Sequence, residues 1–382
     1  MDNLTPPAPS RRDFLRQLSG GLGAAALTGS SLARAADSAR ARPNESDTPI
    51  PQDEQIGYAL VGLGSLSTGQ LAPAFESTNR CYLAGIVTGT PAKARVWQER
   101  YDIPDANVYD YETYDRIADN DEIDVVYIVL PNAMHAEYTI RGAEAGKHVL
   151  CEKPMATSSA ACHQMIDACR SADRKLAIGY RLHFEPYNQA LMRMGREAEF
   201  GPVKMMEASF AFPIGDPNQW RLDRTLAGGG PLMDVGIYAV NAARYVNGEE
   251  PVSVTAQSVK TDPEKFDEVE ETLFWQLRFP NGAVAASSTS YNASVNRLYF
   301  SARGGWAELE PAYSYGGLSG RTHEGALDFA DIDQFAAEMD AFARCIQEDR
   351  ESRVPGEEGL RDLEVMEAIY EAAETGGSVE IG

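Results

Sequence analysis

From Ile56 to Tyr180 the chain alternates short apolar runs with amphipathic stretches of helical period. Such alternation is typical of βαβ units and indicates a parallel sheet. The predicted strands lie at 56–61, 82–87, 107–109, 124–130 and 175–180, with one more through Val149 and Leu150. The first predicted helix follows a turn at Gly62–Ser67 and runs to about Ser77, and further helices are predicted over 91–101, 113–118 and 133–145. A last helix follows Thr157, which we expect to be its N-cap.

After about Arg181 the apolar pattern changes to that of long, mostly antiparallel strands. Pro280-Asn281-Gly282 between two of them indicates a hairpin. The strand candidates are 203–212, 252–260, 269–279, 283–291, 297–303 and 306–310. One helix is predicted among them at 233–246, and two more close the chain at 331–348 and 357–374.

A glycine-rich turn joins the first predicted strand to the first predicted helix, with the sequence Gly62-Leu63-Gly64-Ser65-Leu66-Ser67. The first glycine permits the tight turn, and the second lets the backbone approach a pyrophosphate at the helix N-terminus. Ser67 stands where a third glycine is usual, at some cost in packing closeness. Placed between a strand and a helix, this motif predicts dinucleotide binding. We therefore expect an α/β chain with a Rossmann domain at 56–180 and an α+β domain at 181–382, the latter built on a large, mostly antiparallel open sheet.

The end of the second predicted strand indicates which dinucleotide binds. A carboxylate there would receive the ribose 2′-hydroxyl of NAD, but the chain has Thr88-Gly89-Thr90, followed by Lys93 and Arg95. Two hydroxyls and two cations suit a 2′-phosphate, so we expect NADP. The alternative is that Lys93 and Arg95 only solvate a helix face.

Lys153 lies at the end of the predicted strand through Val149 and Leu150, and Pro154 forces it into an extended conformation. Its side chain would then leave the carboxyl end of a parallel strand, where open α/β sheets bind their ligands. The alternative is a surface lysine without a role in binding.

Asp234 and Tyr238 are four residues apart on a predicted helix and would share one of its faces. A tyrosine with a pKa of about 10 needs a neighbouring cation to act as a base near neutrality, and Lys153 is the candidate. The alternative, which the spacing alone favours, is that Asp234 is an N-cap and Tyr238 a core aromatic.

The composition narrows the class of partner. The 382 residues carry a formal net charge of −23, which makes nucleic acid an unlikely ligand because phosphate binding relies on clustered Lys and Arg. The five cysteines are scattered without a C-x-x-C pair, so we expect neither a disulfide framework nor a metal site.

The N-terminal residues 1–35 have the pattern of a twin-arginine export signal. Ser10-Arg11-Arg12-Asp13-Phe14-Leu15-Arg16 precedes a weakly apolar, Gly/Ala-rich stretch and then Ala33-Arg34-Ala35, a cleavage pattern. The apolar stretch is too short for a membrane span, and the alternative is a disordered basic N-terminus. Residues 36–55 are polar and aperiodic, which predicts a flexible arm. We therefore expect the twin-arginine machinery as a partner and a periplasmic location.

Several motifs together resemble the Gfo/Idh/MocA oxidoreductases, and within them the glucose–fructose oxidoreductase subgroup. They include Cys151-Glu152-Lys153-Pro154, Leu130-Pro131-Asn132 with His135, Asp234-x-Gly236-x-Tyr238, and Asn218-Gln219-Trp220-Arg221. The resemblance implies that Lys153 and Tyr238 are catalytic and that Asp234 supports the sugar. It also implies that NADP contacts the residues Gly62, Leu63, Gly64, Ser65, Leu66, Thr88, Gly89, Lys93, Leu130, Asn132, His135, Glu152, Lys153, Arg181, Trp220 and Arg221.

Export and NADP binding constrain each other, since no free nicotinamide pool is expected outside the cytoplasm. We therefore expect tightly bound NADP and a ping-pong cycle, in which an aldose is oxidised at C1 to the aldonolactone and a second sugar is reduced to an alditol. The resemblance implies a homodimer or homotetramer through the C-terminal sheet. The alternatives are a sugar dehydrogenase with exchangeable NAD(P) and a non-catalytic exported sugar-binding protein.

Overall fold

The six apolar runs between Ile56 and Tyr180 form one parallel sheet in the computed structural model, which describes residues 50–382. Its strands are β1 (Ile56–Val61), β2 (Cys81–Val87), β3 (Val108–Tyr109), β4 (Val125–Ile128), β5 (His148–Glu152) and β6 (Leu176–Gly179). The spatial order is β3-β2-β1-β4-β5-β6, and every pair is parallel. The strand order reverses at β1 and β4, where open α/β sheets form a ligand crevice at the carboxyl ends of their strands. The predicted Rossmann sheet is confirmed.

Helices connect these strands where the pattern predicts them. After the glycine turn the chain is least regular, since a π-helical turn at Ser67–Leu71 continues into short segments at Ala72–Ala74 and Phe75–Ser77. The later connections are Pro91–Tyr101, the 3-10 helix Tyr114–Asp119, His135–Glu144 and Ser159–Ser171.

The last of these helices is capped by Ser158 and not by Thr157, so that prediction is wrong. Ser158 has the extended backbone of an N-cap, and its hydroxyl accepts a hydrogen bond from the backbone N–H of Ala161. One face of this helix is apolar and packs in the core, where Cys162, Met165 and Ile166 are buried.

The second half of the chain forms one nine-stranded sheet, as the longer strand candidates predict. Its strands are β7 (Val203–Ala211), β8 (Ser253–Val259), β9 (Thr272–Arg278), β10 (Val284–Ser290), β11 (Val295–Ala302), β12 (Gly305–Leu309), β13 (Gly320–Thr322), β14 (Gly325–Ala326) and β15 (Ser378–Glu380). The order is β14-β13-β12-β11-β7-β10-β9-β8-β15, and within the described part of this second sheet β7 with β10 is the one parallel pair. Gly282, with φ +83°, closes the predicted hairpin between β9 and β10. The sequence pattern missed β13, β14 and β15, because two or three residues are too few to establish a period.

The predicted helices of the second half are confirmed, and among the described residues one further helix longer than a single turn was missed. Leu232–Gly236 and Ile237–Asn247 form a continuous helical segment, and Gln334–Gln347 and Gly356–Thr375 follow later. The missed helix is Pro186–Arg196. Its start signal was present in the sequence, since Pro186 occupies the first turn and the Glu185 carboxylate accepts hydrogen bonds from two backbone N–H groups.

The helix Gln334–Gln347 returns to the first sheet. Its residues Phe335, Met339 and Phe342 are buried in one cluster with β1, and the Tyr58 hydroxyl donates to the carbonyl of Met339 at 3.0 Å. The larger core cluster includes side chains of both sheets. The seam between the sheets is therefore held by packed side chains.

The predicted export signal at 1–35 and most of the arm at 36–55 lie outside the described residues. At the start of the described residues, the backbone N–H of Ile50 donates to the backbone carbonyl of Asn79, and a 3-10 turn follows at Gln52–Glu54. From residue 50 onward the helices are all too short or too polar to cross a membrane.

Candidate active site

A cleft of about 850 Å³ opens at the seam between the two sheets. Every residue that the family resemblance implies for catalysis or cofactor contact lies in its wall, although their roles remain predictions. These residues are Gly62, Leu63, Gly64, Ser65, Leu66, Thr88, Gly89, Lys93, Leu130, Asn132, His135, Glu152, Lys153, Arg181, Trp220, Arg221, Asp234 and Tyr238.

The glycine turn forms one wall of the cleft. Gly62 has φ +97°, and a Cβ there would lie 2.5 Å from the carbonyl oxygen of Val129, so no other residue fits. A Cβ at Gly64 would meet no atom within 4 Å, because this backbone faces the open cleft. The Ser67 hydroxyl donates to the Gly62 carbonyl at 2.6 Å and braces the turn from inside the fold. The exposed backbone at Gly64 fits the close approach that a pyrophosphate requires.

The wall beyond β2 is polar and lacks a carboxylate. Lys93 donates from Nζ to the Leu63 carbonyl at 3.0 Å and lies beside Thr88 and Thr90, whereas Arg95 is exposed outside the cleft. The acidic residues among those lining the cleft are Glu152 and Asp234, both at the seam. A ribose phosphate would thus meet hydroxyls and one cation without like-charge repulsion.

Asn132 and His135 fasten backbone segments around the cleft. Asn132 donates from Nδ2 to the Ala227 carbonyl at 2.8 Å and so ties the loop after β4 to the second half of the chain. His135 places Nδ1 2.8 Å from the Pro154 carbonyl and Nε2 2.9 Å from the Leu130 carbonyl. Burial lowers the pKa of His135. A neutral imidazole can donate to one of these carbonyls at a time.

Asp234 is the electrostatic centre of the seam. Its Oδ2 accepts hydrogen bonds from Arg221 Nε at 3.0 Å and from the Tyr291 hydroxyl at 3.1 Å, while Lys153 Nζ lies 3.6 Å from Oδ1. Burial by itself would raise the pKa of Asp234, but Arg221, Lys153 and Tyr291 hold it below its ordinary value. The carboxylate caps no helix, so the alternative that Asp234 is only an N-cap is wrong.

Lys153 bridges the two halves of the chain, as its position after β5 predicts. Its Nζ donates to the backbone carbonyl of Asp234 at 2.6 Å and lies 4.8 Å from the centre of the Tyr238 ring. The lysine ammonium therefore faces the ring of Tyr238 while it is held in place by Asp234.

Tyr238 lines the cleft and is in contact with other aromatic rings. Its ring centre lies 5.6 Å from Phe210 and 5.9 Å from Tyr313. Burial raises the pKa of Tyr238 to about 12, and the Arg181 guanidinium acts to lower it. The sequence did not indicate that Arg181 has this electrostatic effect.

Arg181 follows β6 and is buried between two tyrosines. Its Cζ lies 5.1 Å from the Tyr238 ring centre and 4.6 Å from that of Tyr315. The terminal nitrogens donate to the Tyr313 and Ser314 carbonyls and to the Gln334 side chain. Arg181 thus ties the loop at 313–315, which lines the cleft, to the end of the first sheet.

Glu152 belongs to a buried carboxyl pair below the cleft. The Tyr127 hydroxyl lies between the carboxyl groups of Glu152 and Glu338, 2.8 Å from Glu152 Oε1 and 3.2 Å from Glu338 Oε2. Burial raises the pKa of Glu152, and Lys153 opposes that shift.

The sequence missed several residues that the second half of the chain contributes to this site, either in the wall of the cleft or in contact with Asp234. The aromatic ones gave no signal beyond apolar positions in strands and loops, and Asn296 and Ser314 gave none. The missed residues are Phe210, Phe212, Tyr291, Asn296, Tyr313, Ser314 and Tyr315.

Comparisons with known proteins cover nearly the whole described chain. The oxidoreductase family profile with an NAD-binding Rossmann fold matches residues 56–180, and the GFO/IDH/MocA C-terminal domain profile matches 188–308. The chain is 34% identical over 341 residues to the D-xylose 1-dehydrogenase (NADP+) of Haloarcula marismortui, a match covering 86% of this chain and 94% of that protein. A second such enzyme, from Haloferax volcanii, is 30% identical over 333 residues, covering 85% and 99%.

A solved structure is also similar. It is the aldose–aldose oxidoreductase from Caulobacter crescentus complexed with glycerol, with 46% identity and a TM-score of 0.84. The match covers 85% of this chain and 99% of that one.

Proposed function

This chain belongs to the Gfo/Idh/MocA oxidoreductases, and we propose that it is an NADP-dependent sugar oxidoreductase whose cofactor stays bound throughout the reaction. It oxidises an aldose at C1 to the aldonolactone and reduces a second sugar, a ketose or an aldose, to an alditol. The observation that carries this proposal is the meeting of Lys153, Asp234 and Tyr238 at the seam that also holds the glycine turn.

The relatives support the choice of sugars as substrates. The similar solved structure is named for aldose substrates, and the similar archaeal enzymes are named for D-xylose and NADP. The end of β2 supports NADP over NAD. The cleft residues there include Thr88, Thr90 and Lys93, and none of them is acidic.

In the proposed mechanism Asp234 orients the sugar. Its carboxylate is ionised because Arg221, Lys153 and Tyr291 surround it, and it accepts hydrogen bonds from sugar hydroxyls. When bound, the nicotinamide supplies the hydride acceptor for the oxidation and the hydride donor for the reduction.

Tyr238 transfers the proton. In the oxidation its phenolate takes the proton of the C1 hydroxyl, and in the reduction its phenol returns a proton to the second sugar. Burial opposes the phenolate, whereas the Arg181 guanidinium favours it by acting to lower the pKa of Tyr238. The Lys153 ammonium also faces the ring, and we propose that it favours the phenolate as well.

Export by the twin-arginine route is part of the proposal. It is supported by the Arg11-Arg12 motif and the Ala33-Arg34-Ala35 pattern in the sequence. An exported enzyme meets no nicotinamide pool, so a cofactor that is loaded before export and regenerated by the second sugar keeps the cycle running. Fractionation of cells that produce the full chain tests this, and activity confined to the cytoplasm would contradict it.

The central experiment is a spectroscopic half-reaction. Purified protein is mixed with an aldose, without added cofactor, and absorbance at the reduced-nicotinamide band is followed. We expect reduction of bound NADP in the wild type, reversal on addition of a ketose, and no reduction in Tyr238→Phe. Protein that loses its cofactor on gel filtration would refute the tightly bound form of the cycle.

One other catalytic function has specific support. The similarity to D-xylose 1-dehydrogenases favours a dehydrogenase with exchangeable NADP. Steady-state turnover that requires added NADP and needs no second sugar would select this function. An exported sugar-binding protein without catalysis would show no cofactor reduction by any aldose.

We further propose that the chain forms a homodimer or homotetramer through the C-terminal sheet. Met205 on β7 and Phe274 on β9 project from the same face of that sheet and are 47% and 50% exposed. Light scattering of the wild type and of Phe274→Asp tests this, and a monomeric wild type would contradict it.

A further inference from the structure

Next to the helix that carries Asp234 and Tyr238 lies a partly buried contact that the proposed reaction does not use. The turn Gly228–Gly230 leads into that helix, and it is covered by Glu270, just before β9, and by Tyr370, from the helix Gly356–Thr375. These elements reach the turn from the side away from the cleft.

The Glu270 carboxylate accepts hydrogen bonds from three donors, and one of them, the Gly230 N–H, belongs to the turn. Its Oε2 accepts from the Gly230 backbone N–H at 2.9 Å, and its Oε1 accepts from the Leu232 N–H at 3.2 Å. The Tyr370 hydroxyl donates to the same Oε1 at 2.9 Å. A carboxylate at this place satisfies backbone donors of the first helical turn, which otherwise have no partner within the helix.

Gly229 and Gly230 are required because Tyr370 and Glu270 approach the turn too closely for a side chain at either position. A Cβ on Gly229 would lie 2.1 Å from the Tyr370 hydroxyl, and a Cβ on Gly230 would lie 2.5 Å from the Glu270 carbonyl oxygen. Gly229 has no positive φ, so the space that Tyr370 occupies is the obstacle to a side chain there, and the backbone conformation is not.

We propose that Glu270 and Tyr370 form a clamp on the Gly228–Gly230 turn that sets the position of Asp234 and Tyr238 in the cleft. Both are positioning residues, since neither lines the cleft. The backbone N–H of Asp234 lies 3.3 Å from the Gly230 carbonyl, so a displacement of the turn passes directly to the helix. This proposal rests on the proposed function, because it assigns Asp234 and Tyr238 to the reaction.

The test is a double-mutant cycle between Gly229 and Tyr370. Gly229→Ala drives a methyl group into the Tyr370 hydroxyl, and Tyr370→Phe removes that hydroxyl and with it the closest clash. We expect Gly229→Ala to lower kcat for aldose-dependent cofactor reduction by about 10- to 100-fold, as small misplacements of reacting groups do. Tyr370→Phe also removes one of the three hydrogen bonds to Glu270, so it is expected to lower kcat, but by a smaller factor than Gly229→Ala. The double variant is expected to be at least about threefold more active than Gly229→Ala.

The pH profile of kcat and a control variant separate a change in position from a general loss of folded protein. A variant with less folded protein loses the same fraction of kcat at every pH, whereas a displaced Tyr238 changes its distance from Arg181 and shifts the pH profile of kcat. The matched control is Gly377→Ala, where the nearest atom to the new Cβ is 3.8 Å away and the cleft is remote. It is expected to behave as the wild type.

If Gly229→Ala does not fold, Glu270→Gln replaces it. Its amide oxygen can still accept from Leu232 and Tyr370, but its NH2 group then faces the Gly230 donor, and we again expect at least about a tenfold lower kcat. Wild-type kcat in Gly229→Ala, or a double variant no more active than Gly229→Ala, would overturn the clamp. If the wild type oxidises no sugar, the proposed function fails by itself. Crystal structures of the wild type and Gly229→Ala then decide the clamp, and an unmoved Asp234 refutes it.

Discussion

Replacement of Arg181 by methionine separates the two tasks that the structure assigns to this side chain. The guanidinium lies 5.1 Å from the Tyr238 ring centre and also binds the carbonyls of Tyr313 and Ser314. Methionine keeps much of the apolar length but removes the charge and all donors.

The magnitude follows from the distance. A unit charge at about 5 Å in a medium of effective dielectric constant of about 20 contributes about 3 kcal/mol, or roughly two pKa units. Loss of Arg181 removes this stabilisation of the phenolate, so the pKa of Tyr238, already raised to about 12 by burial, rises further. Because Tyr238 is the proposed base, the rising limb of the kcat profile is expected to move to higher pH and the rate at neutral pH is expected to fall.

The assay is the pH dependence of cofactor reduction by an aldose in wild type, Arg181→Met and Arg181→Lys. The lysine variant keeps the charge and loses the planar fork that binds two carbonyls. We expect it to keep the pH profile nearly unchanged and to raise KM, because the loop at 313–315 is less well held. An unshifted profile in Arg181→Met would refute the reasoning.

Three further predictions test other parts of the molecule. Lys93→Ala is expected to weaken NADP binding by about 10-fold and NAD binding little, because a charged hydrogen bond contributes about 1.5–3 kcal/mol. Calorimetry measures both affinities, and equal losses of affinity for NADP and NAD would exclude a contact between Lys93 and the 2′-phosphate. Arg221 and Lys153 hold the pKa of Asp234 below its ordinary value, against the effect of burial, so Asp234 stays ionised to lower pH than an ordinary aspartate. Arg221→Ala is therefore expected to move the acid limb of kcat/KM to higher pH, and an unmoved limb would contradict this. Arg244→Met leaves Asp362 buried without its cation, so the free energy of unfolding measured in urea is expected to fall by about 3–5 kcal/mol. A decrease below about 1 kcal/mol would contradict this prediction.

Much of the fold could be predicted because it depends on local periodicity. The apolar runs of β1, β4 and β5 are buried on both faces, and such strands stand out in a sequence. The short strands β13–β15 were missed for lack of length, and the helix Pro186–Arg196 was missed although its capping signal, Glu185-Pro186, is present in the sequence.

The half of the cleft formed by the first sheet was predictable for a topological reason. Its residues follow the ends of parallel strands, and parallel strands end at one edge of their sheet, so Gly62, Thr88, Asn132 and Lys153 had to lie close together.

The other half depends on contacts between residues far apart in the chain. Tyr291 reaches Asp234 across 57 positions, and Arg181 reaches the Tyr313 carbonyl across 132. No periodicity or motif encodes such contacts, since they arise when the second sheet packs across the ends of the first.

Lys153 shows where the two kinds of information meet. The sequence by itself determined that a lysine leaves the end of a buried strand beside a dinucleotide turn, because strand, turn and proline are local features. Only the tertiary structure decided that its ammonium is bound by the Asp234 carbonyl and faces the Tyr238 ring, and that Arg181 is the cation that most lowers the pKa of this tyrosine. The reason is physical: a side chain's charge environment is set by every element within a few ångströms, and most of these elements are distant in sequence.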